Sequence, residues 1–79
     1  MARVLLFGRL ADLAGWRDRR VEASSLANLR DLLAAGDAAL GEALSGPGVQ
    51  VAVDKVLVRG EAGLAAASEV AFLPPMSGG

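Results

Sequence analysis

The chemistry that this sequence could carry is concentrated at its C-terminal end. The chain has no cysteine and no histidine, and it ends in Met76-Ser77-Gly78-Gly79 after Pro74-Pro75. Because glycine has no Cβ, such a tail is thin, and its four residues reach ~13–14 Å when extended. We therefore predict that the reactive group is the terminal carboxylate of Gly79, carried with Gly78 into a channel of a partner that activates it, for example as an acyl-adenylate. The alternative is a C-terminus that simply frays.

The composition excludes most other chemistry. Without cysteine the chain has no thiolate nucleophile, and without histidine it has no Ser-His-Asp triad and no imidazole ligand, so we predict no metal site. A formal net charge of -1 argues against a nucleic-acid surface. Lys55 falls in a predicted turn and the charged residues 17–20 in a predicted edge strand, so both are expected to be solvated.

The length and hydrophobicity indicate one small domain. The 79 residues are 53% hydrophobic, which suits a packed core and not a disordered chain. The opening apolar run spans residues 4–7, too short for a signal peptide or a membrane span. We therefore expect a cytoplasmic protein with no membrane partner.

The pattern of residues predicts an α+β domain over residues 1–75, followed by a flexible tail over 76–79. Strands are predicted at 4–7, 17–22, 49–53, 56–58 and 69–73, the first of them buried on both faces. The clearest helix spans 25–35, with Ser25 as its N-cap and a stripe formed by Leu26, Leu29, Leu32 and Leu33. Shorter helices are predicted at 10–15 and after Asp37.

Side-chain alternation predicts two apolar faces on the sheet. One set of residues would meet the helix: Val4, Leu6, Val70 and Phe72. The opposite set would be Leu5, Phe7, Leu57, Ala71 and Leu73. A single helix covers only one face, so the second surface is predicted to bind a partner protein. The alternative is that a short helix or a loop covers it.

The chain resembles the family of small, sulfur-carrier subunits of molybdopterin synthase. The resemblance rests on three segments, namely 4–7 with Leu13 and Gly15, 25–30, and above all 69–79, with its acidic-apolar strand, double proline and Ser-Gly-Gly end. It implies a ubiquitin-like β-grasp fold, a mixed sheet with one main helix packed on one face. Two departures stand out. Residues 66–69 lack the glycine common in the family's turn, and Leu73 replaces a common aromatic residue.

The resemblance also implies a mechanism and partners. A ubiquitin-activator-like enzyme would use ATP and magnesium to adenylate Gly79, and a sulfur donor protein would convert the adenylate to a thiocarboxylate. The tail would then enter the synthase large subunit in a heterotetramer and give its sulfur to cyclic pyranopterin monophosphate. The chain itself would bind no cofactor. The residues expected to bind partners are Phe7, Leu57, Leu73, Pro74, Pro75, Met76 and Ser77.

Three alternatives remain open at this point. A related carrier could feed thiazole synthesis, although such carriers usually lack the double proline. A ubiquitin-like modifier would use the same tail to form an isopeptide bond. A plain interaction module would not need a free Gly79.

Overall fold

A computed structural model describes residues 1–75 of the chain, which form one mixed sheet and three helices. The strands are β1 (Ala2–Leu6), β2 (Asp18–Val21), β3 (Gln50–Val53), β4 (Val56–Val58) and β5 (Glu69–Leu73). The helices are α1 (Arg9–Ala14), α2 (Leu26–Gly36) and α3 (Ala38–Leu44). The predicted tail residues, 76–79, lie outside the described part.

The sheet has the strand order β2-β1-β5-β3-β4. The two most apolar strands, β1 and β5, run parallel side by side at its centre, and the other neighbours pair antiparallel. This is the arrangement expected of a β-grasp domain, and the prediction of that fold is confirmed. It places the first strand and the last strand together, so the chain leaves the domain at the end of a central strand.

The core lies between one face of the sheet and the three helices. Val4, Leu6, Val70 and Phe72 are buried there, as alternation predicted. Helix α2 contributes Leu26, Leu29 and Leu33, and α3 contributes Leu40 and Leu44. Gly41 lets α3 cross close to Ala34 of α2, where a Cβ would overlap that residue. All three helices therefore share one face, and none of them covers the other.

The helix signals in the sequence correspond to real caps. The hydroxyl of Ser25 accepts the N–H of Asn28 at 3.1 Å, and the carboxylate of Asp37 accepts the N–H of Leu40 at 3.1 Å. The amide oxygen of Asn28 also accepts the N–H of Ser24 at 3.1 Å. The bonds to Asn28 and Leu40 satisfy amides that the first turns leave without partners, and the bond from Ser24 fixes the residue before the N-cap.

Two sequence predictions about burial are wrong. The prediction that the first strand is buried on both faces fails, because β1 ends at Leu6 and Phe7 is 45% exposed. Leu32 was expected in the buried stripe but is 43% exposed. It lies about 100° around the helix from Leu33, so it points past the edge of the sheet.

Two turns have conformations that the sequence left open. Asp54 and Lys55 both have positive φ, 50° and 70°, which is the type I′ geometry of a two-residue hairpin. The turn before β5 forms without glycine. The N–H of Ser68 donates to the carbonyl of Ala65 at 3.1 Å, and the N–H of Ala65 donates to the Ser68 hydroxyl at 2.8 Å.

No helix among residues 1–75 is long and apolar enough to cross a membrane.

Candidate partner-binding face

One apolar row crosses four strands on the sheet face that the helices leave open. Leu5 lies opposite Ala71, Ala71 opposite Ala52, and Ala52 opposite Leu57. Leu5 and Ala71 are half-buried, whereas Leu57 is 58% exposed at the outer strand. Sequence alternation identified three of these residues as neighbours on this face and missed Ala52.

The apolar surface continues toward the end of β5. The N–H of Phe7 donates to the carbonyl of Phe72 at 3.3 Å, which extends the pairing of Leu6 with Phe72 by one residue. Phe7 therefore lies beside Leu73, which is half-buried. Among the residues predicted to bind a partner, Phe7 and Leu73 are neighbours, and Leu57 lies two strands away from Leu73. We call the surface formed by Leu5, Phe7, Ala52, Leu57, Ala71 and Leu73 the open face.

The other end of the open face is charged. Nη2 of Arg3 lies 2.6 Å from Oδ2 of Asp18, and Nη1 of Arg3 lies 3.7 Å from Oε1 of Glu69. The hydrogen bond from Arg3 lowers the pKa of Asp18, and the same bond raises the pKa of Arg3. Arg3 lies opposite Glu69 at the starts of β1 and β5, whereas Asp18 lies opposite Leu5, so charged groups border the open face at this end and along β2.

The double proline is held between two glycines at the apolar end. Gly8 has φ 55°, and a Cβ on it would lie 3.0 Å from Cγ of Pro74. Gly48 has φ 83°, and a Cβ there would lie 2.6 Å from Cβ of Pro75. Both distances are shorter than the 3.5–4.0 Å at which carbon atoms pack. Both prolines are half-buried, so the two residues that precede the predicted tail pack against the domain.

A shallow groove of about 430 Å³ lies beside this exit. Leu5, Phe7, Gly8 and Arg17 are among the residues that line it. Arg17 lies at this site because its carbonyl accepts the N–H of Leu6 at 2.9 Å. This hydrogen bond holds the Arg17 backbone against the end of β1. The groove offers a partner side chain an apolar floor, and both Arg17 and Asp18 also line it.

The sequence analysis missed the two glycines and Arg17. No functional role was predicted for Gly8 or Gly48, and Arg17 was interpreted as a solvated charge. The sequence shows these three residues only as a glycine or a charged residue next to the end of a helix or strand. Many residues without a functional role have the same position, so the pattern does not identify a site. The predicted site residues Met76, Ser77, Gly78 and Gly79 lie outside the described residues.

Solved structures with this fold cover nearly the whole chain. SAMP1 from Haloferax volcanii is 28% identical with a TM-score of 0.85, and the match covers 99% of this chain and 98% of that one. The small archaeal modifier protein 1 (SAMP1) from Methanosarcina acetivorans is 21% identical with a TM-score of 0.87, over 99% of this chain and 95% of that one. The second likeness shows the fold alone. A comparison with curated proteins gives no match.

A family model matches residues 4–79, from the first strand to the last glycine. The match includes the double proline and the Gly-Gly end together with the strands that form the open face. The chain belongs to the ThiS family, a family of ubiquitin-like sulfur carriers.

Proposed function

We propose that the chain carries sulfur as a thiocarboxylate on Gly79 and delivers it as the small subunit of molybdopterin synthase. The observation that carries the proposal is that the apolar open face ends where Gly8 and Gly48 hold the double proline. A partner that covers the open face therefore receives the start of the tail at a defined position. Four extended residues then reach ~13–14 Å into that partner.

The proposed chemistry proceeds in three steps. ATP, with magnesium, adenylates the Gly79 carboxylate in an activating enzyme and releases pyrophosphate. Sulfur at the sulfide oxidation level, delivered by a sulfur donor protein, displaces AMP: the acyl C–O bond to AMP breaks and the C–S bond of the thiocarboxylate forms. In the large synthase subunit the thiocarboxylate sulfur is transferred to cyclic pyranopterin monophosphate, and water restores the carboxylate. The described side chains position the tail in these steps and take no part in bond making.

A second candidate function uses the same adenylate differently. Similarity to SAMP1, whose name describes a modifier protein, favours a ubiquitin-like modifier in which a lysine amine of a target displaces AMP and forms an isopeptide bond. A carrier for thiazole synthesis is a third recipient for the same thiocarboxylate. The three functions differ in the acceptor and share the activation step.

The first experiment follows the mass of the chain. After incubation with the adenylating enzyme, magnesium, ATP and a sulfur donor, the intact mass should rise by the difference between sulfur and oxygen. A variant with one residue added after Gly79 should show no change, and a variant with one residue added before Met1 should behave like the original chain. An extended C-terminus that still accepts sulfur would refute the tail mechanism, and protein-linked products without a thiocarboxylate would favour the modifier.

The second experiment tests which recipient uses the open face. Phe7→Asp should abolish co-purification with the large synthase subunit and pterin dithiolene formation, while far-UV circular dichroism stays unchanged. Leu13→Asp is the matched control, because Leu13 is 49% exposed against 45% for Phe7 but belongs to α1. An equal loss of co-purification and dithiolene formation in both variants would show that the open face is not the interface. Failure of the original chain to bind that subunit, with sulfur loading intact, would direct the search to another recipient.

A further inference from the structure

The outer strand β2 has main-chain groups that the sheet does not use. The N–H of Leu6 donates to the carbonyl of Arg17, and the register then pairs Val4 with Arg19 and Ala2 with Val21. Because hydrogen-bonded pairs alternate in an antiparallel ladder, these β2 residues bond to β1. The N–H and C=O groups of the intervening residues, Asp18 and Arg20, therefore point away from the sheet.

A groove lined by apolar side chains together with Arg19 and Asp37 runs along this edge, between β2 and α2. Its volume is about 290 Å³, and its walls include Trp16, Val21, Leu32, Leu33 and Leu40. Leu32 contributes an exposed apolar side chain on the helix side of the groove. Gly36 also lines the groove, and a Cβ added to it would meet no atom within 4 Å. The space beside the strand is therefore open, with apolar side chains in its walls.

The edge carries an excess of cations. The guanidinium of Arg19 lies over the ring of Trp16, 4.4 Å from the ring centroid, at the side of the groove. Arg20 belongs to the other face of β2, where it lies opposite Arg3. Among residues 1–75, Arg17, Arg19 and Arg20 form no ion pair with a carboxylate.

The acidic groups nearby are mostly engaged. Asp18 is held by Arg3, with Nε of Arg3 3.0 Å from Oδ2. Asp37 caps α3 through the N–H of Leu40. Glu22, at the end of the strand, is exposed and without such a bond among the described residues. With Arg3 and Asp18 neutralising each other, Arg17, Arg19 and Arg20 still outnumber Glu22 and Asp37, so the edge carries a small net positive charge.

We propose that the β2 edge binds an extended segment of a partner protein as an added strand. Main-chain bonds to Asp18 and Arg20 would hold the segment, because an unpaired edge is a template for another strand. Its apolar side chains, at alternate positions, would fill the groove between Trp16 and Leu32. Its carboxylates would pair with the arginines, which also determine the direction of approach.

A second copy of this chain is a poor occupant of the edge. Pairing two β2 strands would bring two sets of arginines together, and like charges across a strand pair are destabilising. The opposite edge, β4, offers a strand of three residues against four in β2. This proposal does not depend on Gly79, so it can fail while sulfur loading succeeds.

The test uses the full chain and a short synthetic peptide in which valine alternates with glutamate. Amide chemical shifts should change in β2 and around Leu32 on titration. The same peptide with lysine in place of glutamate should bind about tenfold more weakly or not at all. A peptide with N-methylated main-chain amides should not bind, because strand addition needs its N–H groups. A single-stranded oligonucleotide should leave these resonances unchanged.

Three variants locate the site. Arg20→Glu should weaken peptide binding about tenfold, through the lost charge pair. Gly36→Leu should do the same by filling the groove, and it leaves every arginine in place. Leu57→Asp, on the open face, should bind the peptide like the original chain. Shifts confined to β4, equal binding by the N-methylated peptide, oligonucleotide binding at β2, or unaltered affinity in Gly36→Leu would each overturn the proposal.

Discussion

Substitution of Gly48 tests directly how the domain holds the double proline that precedes the tail. In Gly48→Ala, the new methyl group would lie 2.6 Å from Cβ of Pro75. Gly15 provides a matched control, because its φ of 82° equals that of Gly48, 83°, within one degree, and a Cβ on Gly15 meets no atom within 4 Å. The two substitutions therefore have the same conformational cost of placing alanine at positive φ. They differ only in that the methyl group at position 48 would contact Pro75.

The structure sets the expected magnitudes. An alanine in the left-handed region costs about 1–2 kcal/mol, so Gly15→Ala should lower the free energy of unfolding by about that amount. Gly48→Ala carries the same cost plus that of overpacking against Pro75, about 1–3 kcal/mol more. The gain from a less flexible unfolded chain is common to both variants and cancels in the comparison.

Urea unfolding of both variants measures the difference, and a shortened chain identifies its source. In a chain that ends at Leu73, the prolines are absent and Gly48→Ala should cost no more than Gly15→Ala. In the full chain, Gly48→Ala should also slow sulfur loading, whereas Gly15→Ala should not. Equal stabilities of the two full-length variants, or a difference that persists after shortening, would refute the idea that Gly48 holds Pro75.

Three further predictions concern the sheet and its turn. Lys55→Gly should raise the free energy of unfolding by about 0.5 kcal/mol, because φ 70° suits glycine, and thermal unfolding would measure it. Arg3→Met should raise the NMR titration midpoint of Asp18 toward 3.8. Because Arg3 lowers that pKa, its stabilising effect is present above the unfolded-state pKa of Asp18 and is lost as pH falls through the folded-state pKa. Phe72→Ala should cost about 3–5 kcal/mol in urea unfolding, against about 0.5 kcal/mol or less for Leu57→Ala, since Phe72 is fully buried and Leu57 is 58% exposed.

Local signals predicted the helices well because caps and apolar spacing act over a few residues. Ser25 and Asp37 cap helices in the structure as they were expected to. The same short range explains the error at Leu32. Spacing along a helix places a residue near a stripe, but the width of the covered stripe depends on where the sheet ends beneath the helix.

The open face was predictable in outline because strand alternation has a period of two residues. Alternation alone separated Val70 and Phe72 from Ala71 and Leu73, and the structure has the same division. It did not reveal that Ala52 completes a row between Ala71 and Leu57. That row depends on the register of three strands distant in sequence, which no local pattern contains.

The sequence by itself determined which elements form and which side chains share a strand face. Because the chain has no cysteine or histidine, it also predicts that the chemistry lies at Gly79. Only the tertiary structure decided what holds the double proline that precedes the predicted tail. Gly8 and Gly48 come from separate loops and meet Pro74 and Pro75 only after the helices have packed on the sheet. Such a close approach between residues distant in sequence arises only from tertiary packing. In the sequence, a glycine that permits it cannot be distinguished from any other glycine.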